Sequence, residues 1–488
     1  MGVSNHLLTF VRGLLTVLKW IGAVVAVVIL IIAGLFAYGR LRGPDAAGRA
    51  ALAALQPART PPAGRNAFPV LWLEHWPVPD DQLQAVTAAD LRHLHALVTQ
   101  PVTKNRAAAL ARFNDIQNYV PVAQTRWPPP SQPDMESLCG WSVPDCLGFV
   151  AGHRTAVAAA LAQAALPLHR AQQLTQADFL WNELPPDPFY VYRFMAVEYG
   201  LMPGNWELLQ PVWLTALADR FVRGEQVAAL TDTCTAIGTW RRLHQGTNDL
   251  PYAMGTARFA GDDIRLAAAM LAQLPPDTPT PAACAQALRP VAAADVDSCA
   301  WAQRQQATSM TIVDGMIADA QRQKGYPWLW FDRRQSRAWL AEQYGPLCRP
   351  SLDARLLADD PAAATLPSLL HLDVAGCVSN LIPCVMDAIG RSPLRDLYRQ
   401  EIQKTADYAA HLRLGAALLA LRAPPAVAGP TLAQRYAALP ADLHSPGHVS
   451  GISAGGRTLY VVDRWRPFRP DARFELPLPV AAAAAAAR

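Results

Sequence analysis

The sequence predicts a mainly α protein with an N-terminal transmembrane helix, a large multi-helix body forming an irregular helical array, and a small C-terminal β-hairpin. Three observations carry that prediction. Residues 20–39 (WIGAVVAVVILIIAGLFAYG) form one uncharged apolar run between Lys19 and Arg40. From about residue 84 to 422, apolar side chains recur at helical spacing. The alternation suited to strands is scarce before residue 448.

Residues 1–19 form a flank containing Arg12 and Lys19. The run 20–39 follows, and at a rise of about 1.5 Å per residue it covers about 30 Å, the thickness of a bilayer's hydrocarbon core. Trp20 and Tyr38 stand near its ends, where amphipathic rings favour the headgroup level. The run exceeds the usual signal-peptide core, and Leu35, Phe36 and Ala37 make no small-x-small cleavage site. An uncleaved anchor is expected, with the lipid bilayer as partner for 20–39. Basic residues flank both sides, so charge alone does not orient it.

Residues 40–66, rich in Ala, Pro and Gly, read as a linker. A helical body is expected over 67–422, with helices at 87–99, 147–165, 206–222, 225–243, 262–274, 300–322, 333–344 and 393–422. Asp332 is a natural N-cap for 333–344. Ser392 and Pro393 suit the start of the last of these helices. Over 423–480 the chain reads as loop, then a hairpin of 448–453 and 457–463 about Gly455–Gly456, then a Pro-rich extended stretch. Residues 481–488 are an Ala-rich tail.

Composition narrows the function classes. Charged residues are 17% and hydrophobic residues 51%, enough apolar material for a core and too little charge for disorder. The positive charge is almost all Arg and is scattered, with no basic stripe bearing interleaved aromatics, so no nucleic-acid partner is expected. Neither Walker A nor G-x-G-x-x-G occurs, and no H-E-x-x-H or close C-x-x-C knuckle, so no cofactor and no metal are expected.

The eight cysteines are Cys139, Cys146, Cys234, Cys284, Cys299, Cys348, Cys377 and Cys384. Roughly a hundred connectivities are possible. Pairing neighbours (139/146, 284/299, 377/384) leaves Cys234 for Cys348. An even count with no metal spacing favours disulfides, and hence an oxidising compartment. The expected location is therefore a bacterial inner membrane, crossed once, with the C-terminal body periplasmic.

Candidate chemistry is sparse. His244, Asp249, Asp262 and Asp263, with Arg241 and Arg242 nearby, form the densest set able to do acid–base work. Tyr326, Trp328, Trp330 and Phe331 make an aromatic patch able to bind a ligand or partner. Gly451-Ile452-Ser453-Ala454-Gly455 matches the hydrolase elbow G-x-S-x-G, and Asp442, His444, His448 and Asp463 could complete a triad on paper. A strand follows where the elbow needs a helix, so a hairpin turn is the better reading.

The C-terminal part has a recognisable order. A helix ending HLRLGAALLALRAP precedes Arg435-Tyr436-Ala437-Ala438-Leu439-Pro440, then Leu443-His444-Ser445-Pro446, the Gly-Gly turn and Leu459-Tyr460-Val461-Val462. This resembles the C-terminal helix-hairpin segment of uncharacterised membrane-anchored bacterial envelope proteins, and loosely the helix-then-hairpin of pseudopilins. The Cys139/Cys146 pair with Asp145-Cys146-Leu147 is similar too. The Tyr-Pro pair of those proteins is split here, and Gly447 replaces the aromatic after Ser-Pro. The resemblance implies location and architecture and carries no catalytic residue. The expected function is a periplasmic binding or scaffolding protein with a protein partner in the envelope, in one version an immunity-type inhibitor of an envelope-acting enzyme. An envelope hydrolase using the 241–263 cluster and a cytoplasm-facing membrane adaptor are the alternatives.

Overall fold

A computed structural model describes residues 3–99, 121–140, 143–184, 206–322, 330–365, 374–423, 429–465 and 472–478. The chain divides into two units, one of residues 1–56, 309–345 and 367–395, the other of 57–308, 346–366 and 396–488. The described residues are 69% helical, with a small antiparallel sheet near the C-terminus, as the sequence predicts.

In the first unit the N-terminal helix runs Val3–Arg42, so the apolar run and its flank are one element. Its most apolar eighteen-residue stretch has a mean hydropathy of 2.8, and none of that stretch is buried. The helix is long and apolar enough to cross a membrane. It stops at Gly43, whose φ of +67° is the left-handed conformation glycine adopts cheaply after a helix.

The expected linker is partly wrong. Asp45 accepts from Gly48 N at 2.8 Å and caps a second helix, Ala46–Ala54. The segment AAGRAALAA contains mostly strong helix formers around Gly48, and the prolines and the other glycines that suggested a tether lie outside it. This helix packs closely on Arg333–Tyr344, where a methyl group on Gly48 would fall 2.9 Å from the Ala338 Cβ. Asp332 caps Arg333–Tyr344 as expected, accepting from Arg334 N and Gln335 N. Asn380 ties the same corner: its Oδ1 accepts from Asp332 N at 2.6 Å and its Nδ2 donates to Ser336 Oγ at 2.9 Å.

The long helix expected at 393 starts earlier, at Leu381, and runs to Arg422. Ser392–Pro393 lies inside it rather than at its start. A proline removes only one helical hydrogen bond, and tertiary packing on either side can carry the helix through it.

In the second unit the core centres on Trp240, fully buried between Trp213 and Phe259 at ring distances of 5.5 and 5.1 Å. Helices Trp206–Val222, Gln226–Gln245 and Leu250–Gln273 supply these rings. The turn at Arg223–Gly224 has Gly224 at φ +101°.

The sheet has three strands where a two-stranded hairpin was expected. β1 (Ser450–Ile452) pairs antiparallel with β2 (Thr458–Val462), which pairs antiparallel with β3 (Arg473–Pro477). In β3, Phe474 and Leu476 are buried while Arg473 and Glu475 are exposed, the alternation of a strand with one core face. Phe474 stacks on His411 with ring centroids 3.8 Å apart. Part of the Pro-rich stretch, and the Ala-rich tail from 481, lie outside the described residues.

All eight cysteines pair: Cys139–Cys146, Cys234–Cys284, Cys299–Cys348 and Cys377–Cys384. The two tight pairs match neighbour pairing, while 284/299 and 234/348 are replaced. Cys234, buried in Gln226–Gln245, faces Cys284 of the packed helix Ala282–Ala287, with Cα atoms 4.7 Å apart. Cys299 opens its own helix beside Cys348 instead. Such thiol pairing fits an oxidising compartment.

Candidate functional site

The four polar candidates in 241–263 do not form one site; each is tied to a different partner. Arg241 grips Asp295 through Nε–Oδ1 at 2.7 Å and Nη2–Oδ2 at 2.6 Å, with 2% and 0% of the side chains exposed. It also donates to the carbonyls of Ala287, Arg289 and Pro290. Burial alone would raise the Asp295 carboxyl, but hydrogen bonds and charge from Arg241 outweigh it and hold the carboxyl below its ordinary range.

His244 is buried, its Nδ1 3.1 Å from the Ala253 carbonyl and its ring 4.6 Å from Tyr408. Burial lowers its pKa, favouring the neutral ring. Asp249 Oδ2 accepts from Asn182 Nδ2 at 2.8 Å and pairs with Arg304 at 3.3 Å. Asp263 accepts from Gln210 Nε2 at 2.9 Å, and burial pushes its carboxyl well above the usual range. Asp262 pairs with Arg265, three residues on, at 3.0 Å. His244, Asp249 and Asp263 thus tie neighbouring elements of the core, Asp262 is paired within its own helix, and no hydrogen bond joins the four.

Of the aromatic patch, Tyr326 and Trp328 lie outside the described residues. Phe331 is buried, and its carbonyl accepts from Arg40 Nη2 at 2.6 Å. Trp330 is 38% exposed and sits edge-on to Phe36 of the N-terminal helix at 6.3 Å.

The G-x-S-x-G segment is the end of β1 and the turn that follows it. Ser453 Oγ accepts from Thr458 N at 3.1 Å, which bridges β1 to β2. The paper triad is dispersed: His444 is held at the Leu439 carbonyl, Asp463 accepts from His411 at 2.7 Å, and His448 turns elsewhere.

His448 is the centre of a charged cluster that sequence reasoning missed. Its Nδ1 meets Asp359 Oδ1 at 2.8 Å and its Nε2 meets Asp407 Oδ1 at 2.9 Å. Arg464 Nη2 donates to Asp359 Oδ1 at 2.8 Å, and the Arg464 and Trp465 N–H groups donate to Asp407. The His448 side chain is fully buried. Two carboxylates, one imidazolium and one guanidinium balance in charge. Burial works against the charged ring, yet the two carboxylates prevail and raise the His448 pKa, against opposition from Arg464.

The local backbone is shaped for this. Asp359 has φ +55°, the left-handed conformation that Asp tolerates better than most residues. Gly447 N donates to Asp359 Oδ2 at 2.9 Å, and a side chain on Gly447 would collide with the Asp359 carbonyl. With every ring nitrogen and most carboxylate oxygens engaged, the cluster is a latch joining the Asp359 turn, the long helix and the ends of the β1–β2 hairpin. No local signal marks it, since its partners are 41 to 105 residues apart in sequence.

Among the described residues, no group of three or more His, Cys, Asp or Glu side chains is arranged to hold a metal ion. Compared with known proteins, the chain matches no family model, no curated protein and no solved structure.

Proposed function

We propose that the protein is a single-pass component of a bacterial inner membrane whose helical body lies in the periplasm and acts by binding, as a scaffold or as an immunity-type inhibitor of an envelope-acting enzyme. One combined observation carries this reading. A long apolar helix with an unburied surface stands at the N-terminus, and every cysteine of the chain is paired. An apolar helix of this kind needs lipid around it, and stable disulfides need an oxidising compartment.

The binding role is supported by what the polar groups do. His244, Asp249 and Asp263 hold the core together, Asp262 is paired on its own helix, and the His448 cluster is closed on itself. Helical arrays of this size present broad surfaces to a protein partner. The hydrolase reading would require two of the carboxylates in 241–263 to work as acid and base.

Asp249→Asn combined with Asp262→Asn separates the two. Both changes keep the side-chain shape and a hydrogen-bonding group. In a strain whose envelope phenotype depends on this gene, the double variant is expected to complement as well as the wild type at equal abundance. Loss of complementation by a variant that accumulates normally would overturn the binding reading in favour of catalysis.

A further inference from the structure

We infer that the stretch Val374–Val385 is a second membrane contact, lying in the headgroup region of the lipid bilayer beside the N-terminal span. The inference rests on the anchored reading above. It comes from a surface that stays exposed among the described residues of the first unit. Val374, Leu381 and Val385 are 54%, 41% and 49% exposed, and Val378 and Ile382 are half-buried. Leu381 and Val385 are four residues apart on one helix and so share a face. No charged residue occurs from Val374 to Val385. Single exposed apolar side chains are ordinary, but an uncharged group of them on two disulfide-linked segments marks an interaction surface.

The occupant follows from where this surface sits. The short helix Val374–Ser379 packs on the N-terminal helix at Gly39, where an added methyl group would collide with the Ala375 carbonyl and lie 2.6 Å from Ser379 Oγ. Gly39 is the last residue of the uncharged run, so this contact lies at the level where hydrocarbon gives way to headgroups. Trp330, half-exposed against Phe36, stands at the same end, as an aromatic belt residue would. The Cys377–Cys384 disulfide holds the two short segments together as one wedge. An uncharged apolar stretch of about 10–14 residues is too short to span a bilayer and suits an interfacial segment.

The test uses the full chain, with an environment-sensitive fluorescent amino acid in place of Val385, Val374 or Leu30, one at a time. Each protein is reconstituted into phosphatidylethanolamine–phosphatidylglycerol vesicles containing lipids spin-labelled either near the headgroup or at mid-chain. The Leu30 probe, in the middle of the span, is expected to lose most of its emission to the mid-chain label. The Val385 and Val374 probes are expected to lose most of theirs to the headgroup-proximal label. If Leu30 is quenched and both valine positions stay as bright as in unlabelled lipid, the second contact is refuted and the anchor stands. A blue-shifted valine probe that resists both labels identifies a protein occupant and refutes it too. If Leu30 escapes quenching, the anchor falls and takes this inference with it.

Discussion

Replacing His448 by Gln is expected to destabilise the folded chain by roughly 3–5 kcal/mol near pH 6, the usual cost of removing one partner from a buried charge cluster. The two carboxylates it leaves, Asp359 and Asp407, are 1% and 6% exposed, and Asp359 keeps Arg464 as its ion-pair partner at 2.8 Å. The effect carries a pH signature. The folded-state pKa of His448 is raised above the ordinary 6.5. The latch therefore contributes in full below pH 6.5 and loses that contribution as pH rises through the folded value. The denaturation midpoint of the detergent-solubilised wild type is expected to fall across that alkaline window, and the His448→Gln midpoint to change much less there. Parallel pH profiles for the two proteins would show that His448 does not titrate as the cluster requires.

Arg241→Met is expected to have an effect of similar size, roughly 3–5 kcal/mol, because Asp295 is then left as a fully buried carboxylate that has lost its bidentate partner and keeps only the partly exposed Arg289 at 3.8 Å. Adding Asp295→Leu removes that stranded charge and is expected to recover part of the loss. Recovery stays incomplete, since the carbonyls of Ala287, Arg289 and Pro290 still lack the donors Arg241 supplied. Denaturation midpoints of the wild type, both single variants and the double variant form a complete cycle. A single variant as stable as the wild type would mean the pair is not the tie described, and an Arg241→Met protein that folds normally but loses function would return this residue to the functional candidates.

Much of this architecture was legible because it is written in local chemistry. The uncharged run from Trp20 to Gly39 needs only its length and apolarity to be read. The helix at 333–344 comes out with the expected boundaries, since Asp332 caps through its own nearest neighbours, and the helix expected to end at Val222 does so. What was not legible depends on partners distant in sequence. Helix Ala46–Ala54 was hidden by Gly48 within it and the Gly and Pro around it, and its fit against Ala338 makes the Ala-rich segment an element of the fold. Neighbour pairing failed for Cys284 and Cys299 because each sits against a different helix or turn, about fifty residues away. β3 carried its alternation in Phe474 and Leu476, but the surrounding prolines masked it.

The candidate site shows the same division. His244, Asp249, Asp262 and Asp263 look like an acid–base set when read along the chain, and the fold sends them to Tyr408, Asn182, Arg265 and Gln210 instead. His448, conversely, has no suggestive neighbour. Its carboxylates arrive from a turn 89 residues earlier and from the middle of a long helix.

In the proposed topology the N-terminal helix stays in the lipid while the disulfide-bonded mass beyond it lies outside the cytosol. Alkaline phosphatase folds to an active form only where its own disulfides can form, so fusing it to the C-terminus of the full chain reads the compartment directly. The expected result is high phosphatase activity in the membrane fraction, carried by a fusion that retains its N-terminal helix. An inactive fusion of normal abundance would place the body in the cytosol, and an active one that is soluble and trimmed at its start would make the helix a cleaved leader; either contradicts the anchored periplasmic protein.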